Sequence, residues 1–320
     1  MRHVVFPFLL LPSLLWTAAS SAQSLDDLRD QLAKEINNSN LGTGYAQMLS
    51  MFLDRSVSLS RLEVEDNQQQ DEFDIIKLPL RYDFPLAGRD WKLALRGTLS
   101  HASLESTAPI AEQSEISAQW RAESGQVGIG LVIPWSEHWS ATALTEVGIS
   151  QLDNDASYRG EIAQSYAPLL DGVLVNWSTN VAVYSLRGGV SYDNLFAQNH
   201  GYQAKMRYTY SYIDTFSESR DLPPITADTS ALVLSGEYRH PWPLSLGDYP
   251  LFGIVNAGAT TFLGAERDAL GFKYYYQAGY SIALDISARD NWIKSFSIGY
   301  QWNEGDNVSG QSILFNWELR

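Results

Sequence analysis

Tyr202-Gln203-Ala204-Lys205-Met206-Arg207-Tyr208-Thr209-Tyr210-Ser211-Tyr212 alternates without a break. Even positions are apolar or aromatic; odd positions are Gln, Lys, Arg, Thr and Ser. Successive side chains of a strand point to opposite faces, so this period of two makes a strand with one apolar and one polar face. The pattern recurs in both directions along the chain. It appears in Ile76-Leu78-Leu80-Tyr82, with Lys77, Pro79 and Arg81 between, and in Trp91-Leu93-Leu95-Gly97-Leu99, with Lys92, Ala94, Arg96 and Thr98 between. It returns in Phe272 to Leu284, in Phe296-Ile298-Tyr300-Trp302 and in Ile313-Phe315-Trp317-Leu319.

A soluble β-sandwich also alternates, so alternation alone does not decide. Three features do. The strands run about 9 to 12 residues, the length that crosses a bilayer core when tilted. They persist to the end of the chain. Their polar face carries Lys, Arg and Gln amid Gly and Ser, while the apolar face ends in Tyr and Trp. Long alternating segments with aromatic girdles mark a transmembrane β-barrel, whose closed wall leaves no strand edge in lipid. The expected fold is an all-β, antiparallel transmembrane barrel with a short N-terminal helix in or near the lumen.

Composition agrees. The 320 residues hold 37 acidic against 22 basic side chains, a net charge of −15, with 10 Trp, 17 Tyr, 23 Gly and no Cys. The charge has the wrong sign for a nucleic-acid partner. Zero Cys excludes disulfides and thiol-based zinc sites. A mean hydropathy of −0.19 leaves no room for several membrane-spanning helices. A barrel is only mildly hydrophobic because apolar residues occupy alternate positions. The acidic excess is assigned to loops and to the N-terminal helix.

Met1 to Ala22 (a short basic start, an apolar run from Val4 to Trp16, then small residues) reads as a secretory signal peptide. Residues 23–54 form a helical segment. Ser24 can cap a helix running to Asn37, with Leu25, Leu28, Leu32 and Ile36 on one face, and Tyr45 to Leu53 can continue it. The barrel occupies 55–320.

The connections give a strand count. Asp83 to Asp90, Pro134 to His138 and His240 to Pro250 carry an aromatic or Pro with charged residues or Trp; together with the charged stretch Ile286 to Asn291 they are taken as one kind of turn, on one, periplasmic side. His101 to Ser114, Ser150 to Asp171 and Ile213 to Asp228 are longer and polar, and belong outside. Both classes keep to their sides only if Glu115–Ile133 and Gly172–Tyr192 are each one strand. In the first, the apolar phase changes from Ile116, Ala118 and Trp120 to Val127, Ile129, Leu131 and Ile133, which points to a bulge near Ser124-Gly125. In the second, a kink is placed near Ser178. The solution begins near Arg55 to Val64 and has about 12 strands; splitting both segments gives 14.

The order of signal peptide, short helix and about 12 strands, with units such as Val127 to Trp139, resembles the translocator domain of autotransporters. There a helix threads the barrel and a secreted passenger lies upstream. Little chain separates Ala22 from the helix, so the expectation is a solitary, autotransporter-like barrel of the Gram-negative outer membrane without a passenger. Glu35-Ile36-Asn37-Asn38 is similar to the paired-Asn site at which some of that family cleave, and is read here as a helix C-terminus. Outer-membrane strands end in Phe or Trp for the assembly machinery; this chain ends Trp317-Glu318-Leu319-Arg320, which departs from that pattern.

The lumen-facing bases Lys77, Arg81, Lys92, Arg96, Lys205 and Arg207 suggest a partner for the helix acids Asp26, Asp27, Asp30 and Glu35, so the helix is expected to plug the pore. For catalysis, His101-Ala102-Ser103 near Glu105, Glu112 and Glu115 is the one arrangement to weigh. It is similar to the His-x-Ser pair of outer-membrane lipid A deacylases, but a three-residue pattern arises by chance. His138, His200 and His240 read as solvated turn residues. Asp153/Asp155 and Asp214/Glu218 read as solvated loop acids, and Gly128-x-Gly130 as space inside a strand. No metal or cofactor is expected. The expected role is a plugged or narrow pore or surface scaffold rather than an enzyme, with outer-membrane lipid, lipopolysaccharide and the barrel-assembly machinery as partners. No nucleic acid or soluble partner is expected. The alternatives are a lipid hydrolase using His101 and Ser103, and a small diffusion porin.

Overall fold

The computed structural model describes residues 27–29, 41–51, 57–66, 69–111, 113–196, 200–217, 224–264, 267–287 and 293–319. Helix α1 is Leu41–Met51. Twelve antiparallel strands follow among the described residues: β1 Val57–Asp66, β2 Gln69–Pro85, β3 Lys92–Ala111, β4 Ser114–Pro134, β5 Trp139–Arg159, β6 Trp177–Phe196, β7 His200–Ser217, β8 Thr226–Leu246, β9 Tyr249–Leu263, β10 Tyr274–Asp285, β11 Ile293–Gly305 and β12 Val308–Leu319. Helix α2, Glu161–Leu170, lies between β5 and β6. Each strand pairs with its sequence neighbour, and β1 pairs with β12 to close the barrel. The count of 12 holds: Glu115–Ile133 lies within β4, and Gly172–Tyr192 holds one strand, β6 from Trp177, while Gly172 to Asn176 form the turn that follows α2.

The strands are longer than the alternation suggested. β4 and β5 have 21 residues each, about 70 Å at 3.3 Å per residue. Tilted by about 45°, they stand about 50 Å tall against an apolar band of about 25 Å. The stretch from His101 to Ser114, expected as a loop, is the upper part of β3 and a tight turn in which Gln113 takes φ 64°. His240 to Leu246 is not a turn either. It continues β8, with a register shift between Pro241 and Ser245, and the turn is made by Gly247-Asp248.

No bulge interrupts β4. Its register to β3 and β5 is continuous through Ser124-Gly125, and even positions face inward along its whole length. The apolar phase changes for another reason. Ile116, Ala118, Trp120 and Ala122 are buried inside the barrel, whereas Val127 and Ile129 lower on the strand face outward and are exposed. Where the outside meets lipid, the inside is polar. Where the strands rise above the lipid, the inside is an apolar core. β6 shows no kink near Ser178: its register to β5 is continuous from Trp177 to Tyr192, and the nearby irregularity is an extra residue, Phe216, on β7 opposite Asn180 and Val181.

The outer face carries the membrane belt. Leu78, Leu80, Leu95, Leu99, Val127, Ile129, Val147, Leu186, Met206 and Ile298 are exposed there. At the lower rim an aromatic girdle runs from strand to strand: Trp135 with Trp139, Trp139 with Tyr192, Tyr192 with Tyr202, and Tyr238 with both His200 and His240. His138 Nδ1 lies 3.0 Å from the Asp193 carbonyl and its ring meets Tyr192 at 5.6 Å, so His138, His200 and His240, read as solvated turn residues, all belong to the girdle's network. Above the belt the outer face is acidic. Glu63, Glu72, Asp74, Glu105, Glu123, Asp153 and Asp155 lie on strands. Much of the acidic excess assigned to loops therefore sits on the outer wall of the barrel.

Candidate functional site: the stoppered lumen

The upper lumen is filled. Thr43 to Leu49 of α1 are buried, with Gln47 and Ala46 fully enclosed. The helix packs on β8, β7 and β4. Tyr45 meets Trp177 edge-on at 5.8 Å, and its hydroxyl donates to the Asp153 carbonyl at 3.4 Å. Gly42 and Gly44 let the helix approach closely: a Cβ on Gly42 would lie 3.1 Å from Ala227 and Ile225. The helix joins one apolar cluster with Phe73, Leu104, Trp120, Leu152, Phe262 and Phe272. From above, α2 adds Ala163 and Leu170, and the following loop adds Val173, Leu174 and Val175.

The described plug, α1, is thus apolar. Of the four acids, Asp26, Asp30 and Glu35 lie outside the described residues, as does Asn37-Asn38. Asp27 sits in the helical piece 27–29 and is exposed. Its neighbour Arg29 donates to the Pro168 carbonyl at 2.6 Å and the Asp171 carbonyl at 2.9 Å, where the negative end of α2 attracts a cation.

The lower lumen is polar. Lys77, Arg81, Lys92, Arg96, Lys205 and Arg207 all occupy inward positions, and the strands bring acids to meet them. Asp83 binds both Arg81, at 2.6 Å, and Arg96, at 2.7 Å. Lys205 lies 3.9 Å from Glu237, and Arg239 lies 3.2 Å from Glu318, which also takes Lys294 at 3.0 Å. The most enclosed pair is Glu146 with Arg187, 2.5 Å apart, with side chains 2% and 10% exposed. Neither member was picked from the sequence. Strand parity held the signal, because Glu146 alternates with outward Thr145 and Val147, and Arg187 with Leu186.

Facing these charges, β9 to β12 present a neutral ladder. Asn256 donates to Gln301 at 3.4 Å, Gln301 to Gln277 at 3.2 Å and to Asn303 at 3.0 Å, and Asn303 to Ser312 at 3.0 Å. Between the two walls lies a cavity of about 600 Å³ on the periplasmic side.

His101 and Ser103 lie on the outer face of β3. His101 Nδ1 is 3.5 Å from Glu123 Oε1, beside a groove lined by Ile76, Leu78, Leu99 and Ile149. Ser103 stands opposite Asp74 and Arg121 in register, and among the described residues no hydrogen bond joins it to His101. A Ser nucleophile needs that bond and donors for an oxyanion. Asp155 pairs with Arg121 and Asp153 accepts from Gln151, and no group of three metal-ligating side chains occurs among the described residues. Gly128 and Gly130 do make space: a Cβ on Gly128 would collide with Glu146, and one on Gly130 with Ala143 and Leu144.

A family described as the solitary outer membrane autotransporter beta-barrel domain matches residues 59–319. No curated protein matches the chain. Among solved structures, the translocator domain of the autotransporter NalP from Neisseria meningitidis is similar, with a TM-score of 0.55 at 11% identity, covering 90% of this chain and 97% of that one. The transport unit of AIDA-I from Escherichia coli gives a TM-score of 0.48 at 10% identity, covering 87% and 98%. The beta domain of the Bordetella autotransporter BrkA gives 0.46 at 8%, covering 82% and 96%.

Proposed function

Because the chain belongs to the solitary outer membrane autotransporter β-barrel domains, and so to the Gram-negative outer membrane, we propose that it works there as a stoppered barrel. Its lumen is shut on the extracellular half by α1 and α2, and its tall acidic wall serves as a surface scaffold rather than an open diffusion channel. One observation carries this reading: the run Tyr45 to Leu49 is buried, between 0% and 3% exposed, inside the ring of strands. A barrel needs roughly 16–18 strands before side chains leave a wide aqueous channel, and twelve with a helix inside fall well short.

In this reading residues 1–22 are a signal peptide removed on export. The apolar belt meets membrane lipid, and Arg61, Arg121 and Arg159 on the upper wall meet lipopolysaccharide phosphates. The assembly machinery reads the last strand through Phe315 and Trp317. The barrel carries no catalytic activity.

Planar-bilayer recording tests the stopper. The full protein is expected to show little conductance. Deleting residues 24–54 should produce stable open channels while the barrel keeps its heat-modifiable migration. Unchanged conductance in a folded deletion variant would sink the reading.

A further inference from the structure

At membrane depth the lumen gathers like charges. Arg81 of β2 and Arg96 of β3 stand directly opposite each other in register, both on inward positions. Like charges so placed repel, and here one carboxylate, Asp83, holds both guanidiniums. Arg96 is level with Gly128 of β4, and Gly128 with Glu146 of β5. Gly128 brings no side chain, so Glu146 leans over it, where a Cβ would collide with Glu146 Cγ. Glu146 pairs with Arg187 and also interacts electrostatically with Arg207 and Arg96. Arg207 in turn faces Gly189 of β6 in register, again with no side chain beside it. Four guanidiniums and two carboxylates thus share one stretch of wall. On the outside, at the same level, Leu80, Leu95, Leu186 and Met206 are exposed to lipid. A low-dielectric wall of that kind strengthens the field inside it.

These groups surround a chamber of about 70 Å³, lined by the four arginines and Glu146 together with Lys205, Thr142 and Ser191. A space of that size holds about five waters, or the five heavy atoms of one phosphate. The chamber adjoins the larger periplasmic cavity: Arg81, Thr142, Ser191, Lys205 and Arg207 line both. The larger cavity reaches Lys92, Ser140 and Ser295, at the lower ends of β3, β5 and β11. A solute therefore comes to the chamber from the periplasm, while α1 fills the lumen above.

We propose that this chamber binds a phosphate-type oxyanion taken from the periplasm, either free phosphate or a small phosphate monoester. A guanidinium carries five N–H donors in a fork that matches phosphate, so Arg81, Arg96 and Arg207 can each hold a carboxylate and an oxyanion together. Among the four arginines, Asp83 and Glu146 the charge is +2, in a chain whose total is −15. A phosphate monoester brings about −1.5 to −2 at pH 7 and balances it. The rest of a monoester would extend into the larger cavity, where the amides of Asn256, Gln277 and Gln301 offer partners for hydroxyl groups. The site rests on the inward placement of these strands in a membrane-embedded barrel, and not on whether α1 stops conductance.

Equilibrium dialysis of the full chain in detergent micelles against radiolabelled inorganic phosphate tests this. Saturable binding of one phosphate per barrel is expected. Arg96→Gln and Arg207→Gln should each weaken it about tenfold, the loss of one charge-assisted hydrogen bond. Arg267→Gln, exposed in the extracellular turn between β9 and β10, should leave it unchanged. Asp83→Asn should act the other way and tighten binding roughly tenfold, because it removes a carboxylate that competes for Arg81 and Arg96. A variant that only loosened the fold would not tighten binding. Competition by glycerol phosphate separates the two sources: displacement tighter than by phosphate marks a monoester, and weaker displacement marks the free ion. The chain has no Cys, so Thr142→Cys reports the place. Phosphate should protect it from an anionic thiol reagent, and should not protect Gln119→Cys on the outer wall. Heat-modifiable migration checks the folding of each variant. Absence of saturable binding would overturn the assignment. So would folded Arg96→Gln and Arg207→Gln proteins that bind like the parent, weaker binding by Asp83→Asn, or a Thr142→Cys protein that phosphate leaves unprotected.

Discussion

Leu49→Ala in α1 should turn a closed barrel into one that opens measurably, without unfolding it. Leu49 is 1% exposed at the centre of the upper core. Truncating a buried Leu to Ala costs about 2–5 kcal/mol, the spread reflecting how well the site collapses. Here collapse is limited, because the strands around α1 are locked to their neighbours by hydrogen bonds. A cost of about 3 kcal/mol falls on the docking of the helix, since the ladder itself does not pass through it. Each 1.4 kcal/mol is tenfold in population, so the undocked fraction rises roughly 150-fold. Tyr45→Ala removes the Trp177 contact and the bond to Asp153 and should act in the same direction. The two residues share a helix face, so their effects will not simply add. Leu99→Ala, on the lipid-facing side, should leave opening unchanged. Single-channel recordings read the open probability, and heat-modifiable migration confirms the barrel. Folded Leu49→Ala and Tyr45→Ala proteins that stay as closed as the parent would refute the argument that α1 is the stopper.

Four further outcomes follow from the same geometry. Glu146→Gln leaves Arg187 buried without its carboxylate and should cost about 3–5 kcal/mol in thermal unfolding, whereas Glu146→Gln with Arg187→Met should recover much of it. Gly128→Val drives a side chain into Glu146 and should cost about 1–3 kcal/mol, seen as a lower unfolding midpoint. Ile129→Lys, on the lipid face, should cost about 2–4 kcal/mol in refolding into vesicles, while Gln119→Lys higher on the same strand should be near neutral; equal effects would mean that the membrane band has been placed wrongly. Purified protein should show no esterase activity, and Ser103→Ala should change nothing in that assay; turnover abolished by Ser103→Ala would establish the hydrolase instead.

The alternation of Tyr202 to Tyr212 was enough for the strand and its two faces, because side-chain direction in a strand depends only on position parity; the membrane setting also needed the strand lengths and the aromatic ends of the apolar face. Parity also put Lys77, Arg81, Lys92, Arg96, Lys205 and Arg207 inside, and the sidedness of the turns led to twelve strands. These are local properties, or sums of local ones.

What parity cannot carry is the medium on either side of the wall. Ile116 to Trp120 and Val127 to Ile133 are both apolar runs of period two on one straight strand. The first packs against α1 and the second against lipid, so the same signal stands for opposite faces, and a bulge had to be assumed to reconcile them. Only the closed barrel shows that the strands outreach the bilayer and enclose a core above it. Ion partners such as Asp83 for Arg96, or Glu146 for Arg187, depend on register between strands that are far apart in sequence. Those are relations among elements, set by closure of the sheet and by packing, and no stretch of sequence contains them.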